Sequence, residues 1–365
     1  MTSTTTAPGT APAHKDPVED RVGESLPARM LRVLLTERVA ALALLTVMLV
    51  AVFMALSSQG YLFAPFDAIY MASSLQSLVP IALLALAEMF VIISGYSGID
   101  LSVGAIVSLA GMLFGYLVQI AGMPLLPAVL VTVIAGGVLG AVNGVLVGYF
   151  RFPPLIATLA TQYAYASIAM VVSGQAPISG DRITASNGVL TGRIALWGDV
   201  LLPVQVLTFL LPSVVVAWIL LERMAWGRSL LAVGTNEVAA EYAAQNVRAV
   251  RASAYLASGL LCGLAAVVNV AQYASARPDA GTTGSGMALP AITIAALGGV
   301  LIQGGFGRVS GVITSALLIT WLNAGLLISM EGSAGSRAQL LALGLVLIAS
   351  ILVNSYAARR YRMRD

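Results

Sequence analysis

The stretch PLLPAVLVTVIAGGVLGAVNGVLVG, residues 124–148, holds no charged side chain and a single amide, Asn143. As a helix it is about 37 Å long, enough to cross a hydrocarbon core of about 30 Å. Water cannot solvate such a surface, so lipid or protein must cover it on every side. Its glycines say more. Gly136, Gly140, Gly144 and Gly148 recur at every fourth position. Four positions without side chains then share one helix face, and a neighbouring backbone can approach closely. The segment reads as one member of a tightly packed bundle of membrane helices, not as a lone anchor.

The rest of the chain agrees with that reading. Of 365 residues, 59% are hydrophobic and 10% charged, against about 25% charged in an average soluble domain. Mean hydropathy is +0.92. Apolar runs of spanning length are expected near 39–57, 70–94, 100–119, 124–148, 155–173, 201–221, 251–271, 288–303, 309–329 and 338–355. The second and third leave room for a re-entrant break around Gly95 to Gly98, since irregular backbone is tolerated at membrane depth where protein buries it. The expected fold is all-α: a polytopic transmembrane helix bundle of about ten spans. Residues 1–38, rich in Thr, Ala, Pro and charge, read as a disordered cytoplasmic tail, 39–355 as the membrane domain, and 356–365 as a basic cytoplasmic tail.

Charge fixes an orientation. With the N-terminus inside, fifteen Lys and Arg fall in the inner segments, and only Arg182, Arg193, Arg277 and Arg337 fall outside. That asymmetry is what membrane insertion selects, and it places both termini in the cytoplasm. The net charge of +3 is spread over short connections, unlike the concentrated basic face that holds nucleic acid. One cysteine, Cys262, and one histidine, His14 in the tail, leave no internal disulfide, no cysteine metal cluster and no histidine-based triad within the membrane. No catalytic residue, metal or cofactor is expected.

Polar side chains inside spans cost free energy unless they face protein or a wet cavity. Glu88, Asn143, Gln162, Asn269 and Asn323 are therefore candidates for a translocation path; each can equally serve to join helices. Glu88 can also carry a proton, which would make the chain a proton-coupled secondary transporter. Asp100, opening a helix after Gly98 and Ile99, suits the positive helix end as an N-cap.

The cytoplasmic segment 222–250 is longer than a hairpin needs. Within it Gly227, Arg228, Gly234, Asn236, Glu237, Ala239 and Ala240 outline a turn, a cap at Thr235 or Asn236, and a short helix of small side chains. Such a low-relief element suits insertion into a groove on a soluble partner.

GRSLLAVGTNEVAAEYAAQNVR (227–248) resembles the cytoplasmic coupling segment of ABC importer permeases of the ribose, xylose, arabinose and galactoside type. Three other stretches resemble the same family in the same order: VIISGYSGIDLSVGAIVSLAG (91–111), GAVNGVLVGYFRFPPLIATLAT (140–161) and ALGGVLIQGGFGRVSGVITSALLI (296–319). Two departures stand out. Gly95-Tyr96-Ser97-Gly98 replaces a direct Gly-Gly, and Ala288, Leu289, Pro290 and Ala291 stand where the family commonly has Glu-Leu-Asp-Ala.

The resemblance implies a permease in the bacterial inner membrane that forms the path for a small polar solute such as a monosaccharide. A branched-chain amino acid is the alternative within the same architecture. It further implies two ATP-binding subunits or domains, a second permease copy or paralogue, and an extracytoplasmic solute-binding protein as partners, with membrane lipid around the permease itself and no nucleic acid. The chain has no Gly-x-x-x-x-Gly-Lys-[Ser/Thr] phosphate loop, so ATP hydrolysis by that route is assigned to the partner.

Overall fold

The computed structural model describes residues 38–283 and 286–361. The N-terminal tail up to residue 37 and the last four residues of the basic tail lie outside them. Helix α1 (Arg38–Ser58) is followed by α2 (Ala68–Ile93), whose first turn is capped by Asp67, its Oδ1 accepting from the Tyr70 N–H at 2.8 Å. Next come α3 (Val103–Gly115, continued by a π turn at Tyr116–Ile120), α4 (Leu125–Gly148) and α5 (Pro154–Val172). Pro154 opens α5 at a position where its missing N–H costs nothing.

A surface segment then carries β1 (Ile178–Ser179), α6 (Asp181–Leu190), β2 (Arg193–Trp197) and β3 (Val200–Pro203). The Asn187 amide donates to the Ala271 carbonyl at 2.7 Å and pins this segment across the bundle end. A sixth apolar element, α7 (Leu211–Trp218), lies between π turns at Val206–Leu210 and Ile219–Arg223. Segment 222–250 folds largely as α8 (Ala225–Thr235) and α9 (Glu237–Tyr242). After them come α10 (Val247–Tyr273), β4 (Ser275–Ala276, paired antiparallel with β1), α11 (Ala288–Leu297), α12 (Val309–Leu327) and α13 (Ala334–Tyr361).

Among the described residues, eight helices are long and apolar enough to cross a membrane. The span expected over 288–303 is different. Its helix has ten residues, about 15 Å, half the hydrocarbon core. Gly298 ends it against the backbone of Gly311 and Val312, and Gly299 (φ +93) turns the chain away. The run expected over 338–355 lies within the longer α13, which continues through Tyr361.

The C-terminal part of α2, from Leu78 to Ile93, is buried at every position but the half-buried Ile81, which marks it as a central helix. Against it pack α10, α11 and α12. The most extensive helix–helix contact is between α4 and α10, and the glycines explain it. A Cβ added to Gly140 would stand 2.8 Å from the Gly259 Cα, one on Gly136 would stand 2.8 Å from the Gly263 Cα, and one on Gly144 would stand 2.5 Å from the Ala252 carbonyl oxygen. Gly148 meets the Arg248 carbonyl in the same way at 2.7 Å. The two backbones touch over three helical turns, with dispersion contact where side chains would otherwise hold them apart.

Candidate functional site

Where α2 ends, Gly95 (φ +75), Tyr96 (φ +58) and Ser97 (φ +53) form three successive left-handed residues. This conformation costs a non-glycine residue about 1–2 kcal/mol, so tertiary contacts must hold Tyr96 and Ser97 there. The turn sends the chain back along α2: a Cβ on Gly98 would meet the Val91 carbonyl at 2.5 Å, and the Asp100 N–H donates to Glu88 Oε2 at 3.3 Å. Residues 95–102 thus re-enter the bundle beside the helix they have just left.

At the end of this return lies a polar network with no exposed member. Asp100 Oδ1 accepts from the Ser102 N–H at 3.0 Å and from the Ser102 hydroxyl at 2.6 Å. This side-chain turn precedes α3, whose N-cap is Ser102 and not the expected Asp100; Asp100 organises the helix start from two residues before that cap. Asn143 on α4 donates from Nδ2 to Ser102 Oγ at 2.7 Å and accepts from the Thr161 hydroxyl of α5 at 2.7 Å. Thr158, one turn earlier on α5, accepts from the Leu101 N–H at 3.2 Å. Ser258 of α10 reaches Asp100 Oδ2 at 3.5 Å. Five helices therefore converge on one buried cluster. Glu88 Oε1 has no hydrogen-bond partner among the described residues.

The five polar path candidates fall into separate places. Glu88 and Asn143 sit together in this sealed network. Gln162, on the next residue of α5 after Thr161, is half-buried and lines a cavity of about 240 Å³ with Leu101, Gly104, Gly281, Gly286, Ala288 and Leu289. Asn269 is buried further along α10, its Oδ1 without a partner among the described residues. Asn323 is half-buried on α12, its carbonyl accepting from Gln339 Nε2 at 2.8 Å. Ser102, Thr158, Thr161 and Ser258 complete the network without having stood out in the sequence. Hydroxyls are common in membrane helices, and only the fold gathers these four.

Segment 222–250 touches the other side of the re-entrant turn. Asn236 caps α9, its Oδ1 accepting from the Ala239 N–H at 3.0 Å. Gly234, near the end of α8, packs so closely on the Ile93 carbonyl and the Gly305 N–H that no side chain fits. Gly305 itself donates to the Ile93 carbonyl at 3.0 Å. Gly95, Gly234, Gly304 and Gly305 thus form a backbone-to-backbone joint. It unites the end of α2, the end of α8 and the broken segment between α11 and α12.

Within α9, Ala240 is buried against Val233 and Val247, and Gly227 of α8 is buried against the Leu220 and Leu221 carbonyls. Arg228 and Ala239 are exposed, and Glu237 is half-buried. The outward face of α9 carries Val238, 61% exposed, and Tyr242, 89% exposed. This face, not Ala240, is open to a partner.

Among known proteins, the family described as branched-chain amino acid transport system / permease component matches residues 70–351. The autoinducer 2 import system permease protein LsrD of Escherichia coli (strain K12) is 33% identical over 294 residues, covering 80% of this chain and 86% of the relative. LsrD of Photorhabdus luminescens is 32% identical over 295 residues, covering 80% and 85%. No solved structure matches the chain. Permeases of this family work with a separate ATPase and a solute-binding protein, which sets aside a self-sufficient proton-coupled carrier. With the matched region running from the first turn of α2 into α13, the chain belongs to this permease family and is a multi-pass inner-membrane subunit of an ABC importer.

Proposed function

We propose that this permease conducts a small hydroxyl-bearing solute of the sugar type, and that its partner ATPase docks on segment 222–250. The observation that carries the docking reading is the glycine joint. An element pushed from the cytoplasm at α8–α9 abuts, backbone on backbone, the turn that leads into the buried network. Val238 and Tyr242 lie one turn apart on the exposed face of α9 and supply an apolar contact of the kind soluble partners bury. The segment faces the cytoplasm by the charge asymmetry of the connections, with both termini on the same side. A second permease, whether a copy or a paralogue, completes the path, and lipid covers the remaining apolar faces.

For the solute, Gln162 is the side chain we assign to the path. Its amide both donates and accepts, as does a sugar hydroxyl, and it lines a cavity beside the re-entrant segment. The relatives named for autoinducer 2 import favour the same class. A second reading, a branched-chain amino acid, rests on the family description. The test is uptake into proteoliposomes holding the permease with its co-purified ATPase and binding protein. Labelled ribose, autoinducer 2 and leucine are compared with and without ATP, and with an uncoupler. ATP-dependent accumulation of a hydroxylated solute, weakened by Gln162→Leu and unaffected by the uncoupler, is expected. Accumulation of leucine alone would establish the second reading.

A further inference from the structure

Arg251 occupies an unusual position for a charge in this fold. It lies in the second turn of α10, and its side chain is only 3% exposed. Its Nη2 donates to Glu237 Oε2 at 2.9 Å, and Glu237 is the first residue of α9. Its guanidinium carbon sits 4.9 Å from the centroid of the Tyr96 ring, over the face of the aromatic. Tyr96 is one of the left-handed residues of the re-entrant turn. Arg251 Nε has no hydrogen-bond partner among the described residues. One buried side chain therefore touches three elements: the short helix α9, the turn at 95–97 and α10 itself.

The same face of α10 continues inward. Tyr255, four residues on, is fully buried, its hydroxyl without a hydrogen-bond partner among the described residues, and Ser258 reaches Asp100. Positions 251, 255 and 258 thus form a line from the cytoplasmic helix to the polar network. Burying a guanidinium is costly, and a single-bonded pair with an unused N–H recovers less than a two-pronged one. A purely packing role would be served better by an apolar side chain of the same volume. The strained turn beside it adds a second local cost that a functional element would justify.

We infer that Arg251 is a positioning residue of the transport cycle. It clamps α9 to the re-entrant turn through Glu237 and Tyr96, so that displacement of α9 moves the 95–102 segment and the network behind it. Without it the movement is absorbed in the link between α9 and α10. The inference rests on the docking of an ATPase at 222–250 and names the residue that passes its motion on.

The test uses the intact assembly in lipid nanodiscs, with Cys262→Ser as background and spin labels at Ser97→Cys and Ala243→Cys. Distances are measured without nucleotide and after vanadate trapping, with Arg251 intact and as Arg251→Lys and Arg251→Met. ATP hydrolysis and ATPase co-purification are recorded for each. With Arg251 the label pair keeps one narrow distance in both states, because the turn and α9 move as one body. In Arg251→Met the ATPase still co-purifies and hydrolyses ATP, but trapping lengthens and broadens the distance. Arg251→Lys, with charge but no planar fork, falls between. A narrow, unchanged distance in Arg251→Met overturns the clamp, as does a distance that changes on trapping in the parent. Failure of any ATPase to co-purify with the parent protein would instead remove the docking reading on which the clamp rests.

Discussion

Replacing Gly140 with Ala and replacing Gly344 with Ala are the same chemical change, yet the structure assigns them opposite signs. At Gly140 the new Cβ would stand 2.8 Å from the Gly259 Cα and still closer to the Tyr255 carbonyl. Favourable carbon–carbon contact lies at about 3.5–4.0 Å, so α4 and α10 must part by roughly 0.7–1.2 Å or bend. Overpacking of this kind costs about 1–3 kcal/mol, against about 1 kcal/mol that Ala gains over Gly in a helix. The neighbouring contacts at Gly136 and Gly144 would loosen as well. At Gly344 nothing lies within 4 Å of the added carbon, so only the propensity gain remains. Thermal unfolding of the purified proteins in one detergent, followed by light scattering and intrinsic fluorescence, measures both. The net cost is then centred on about 1 kcal/mol, so Gly140→Ala is expected to lower the midpoint by about 2–4 °C, at roughly 2–4 °C per kcal/mol, with Gly344→Ala level or slightly higher. Equal midpoints for the two variants would refute the claim that backbone contact holds α4 to α10.

Four further outcomes follow from particular contacts. Asn143→Ala removes two buried hydrogen bonds, to Ser102 and Thr161, which keep only their bonds to Asp100 and to backbone carbonyls of α5; a destabilisation of about 1–3 kcal/mol is expected by the same unfolding assay. Asn143→Asp, which keeps the acceptor but loses the donor to Ser102, should fare no better. Cys262, fully buried beside Ser258 on α10, should resist a membrane-permeant maleimide until detergent denaturation; rapid labelling of the native protein would show that α10 is not packed as described. Tyr242→Ala should weaken ATPase retention during purification while leaving the midpoint near that of the parent, since the ring is almost wholly exposed. Ala240→Arg, by contrast, should destabilise the segment itself by forcing a charge between Val233 and Val247.

The fold class was legible because lipid imposes a coarse rule: length and apolarity are enough to identify most crossings. The glycine face of α4 and the cap at Asn236 were legible because both depend on local spacing. What escaped depends on tertiary placement. The apolar run 288–303 has the composition of a span, but Gly298 and Gly299 stop the helix after ten residues to let another backbone in. Ala240 looked like part of a smooth outer surface, yet a short helix must bury one side, and the side it buries is Ala240's. Arg251 counted as one more inward-facing charge in the orientation tally. Sequence cannot separate an arginine that snorkels to water from one buried beneath Tyr96 and paired with Glu237. Glu88 stood out as an acid within a span, but its neighbour Asp100 is brought to it only by the left-handed turn at 95–97.

The central claim is that α9 is the face on which the ATPase acts, and site-directed cross-linking tests it most directly. Tyr242→Cys on a Cys262→Ser background carries a short photo-activatable linker in native membranes, and the captured species is identified by mass spectrometry. Capture of a protein bearing a phosphate loop from position 242, but not from an exposed control at Leu196→Cys on the opposite side, is the expected result. Capture of that protein from Leu196 and not from position 242 would invert the orientation and contradict the coupling role of α8 and α9.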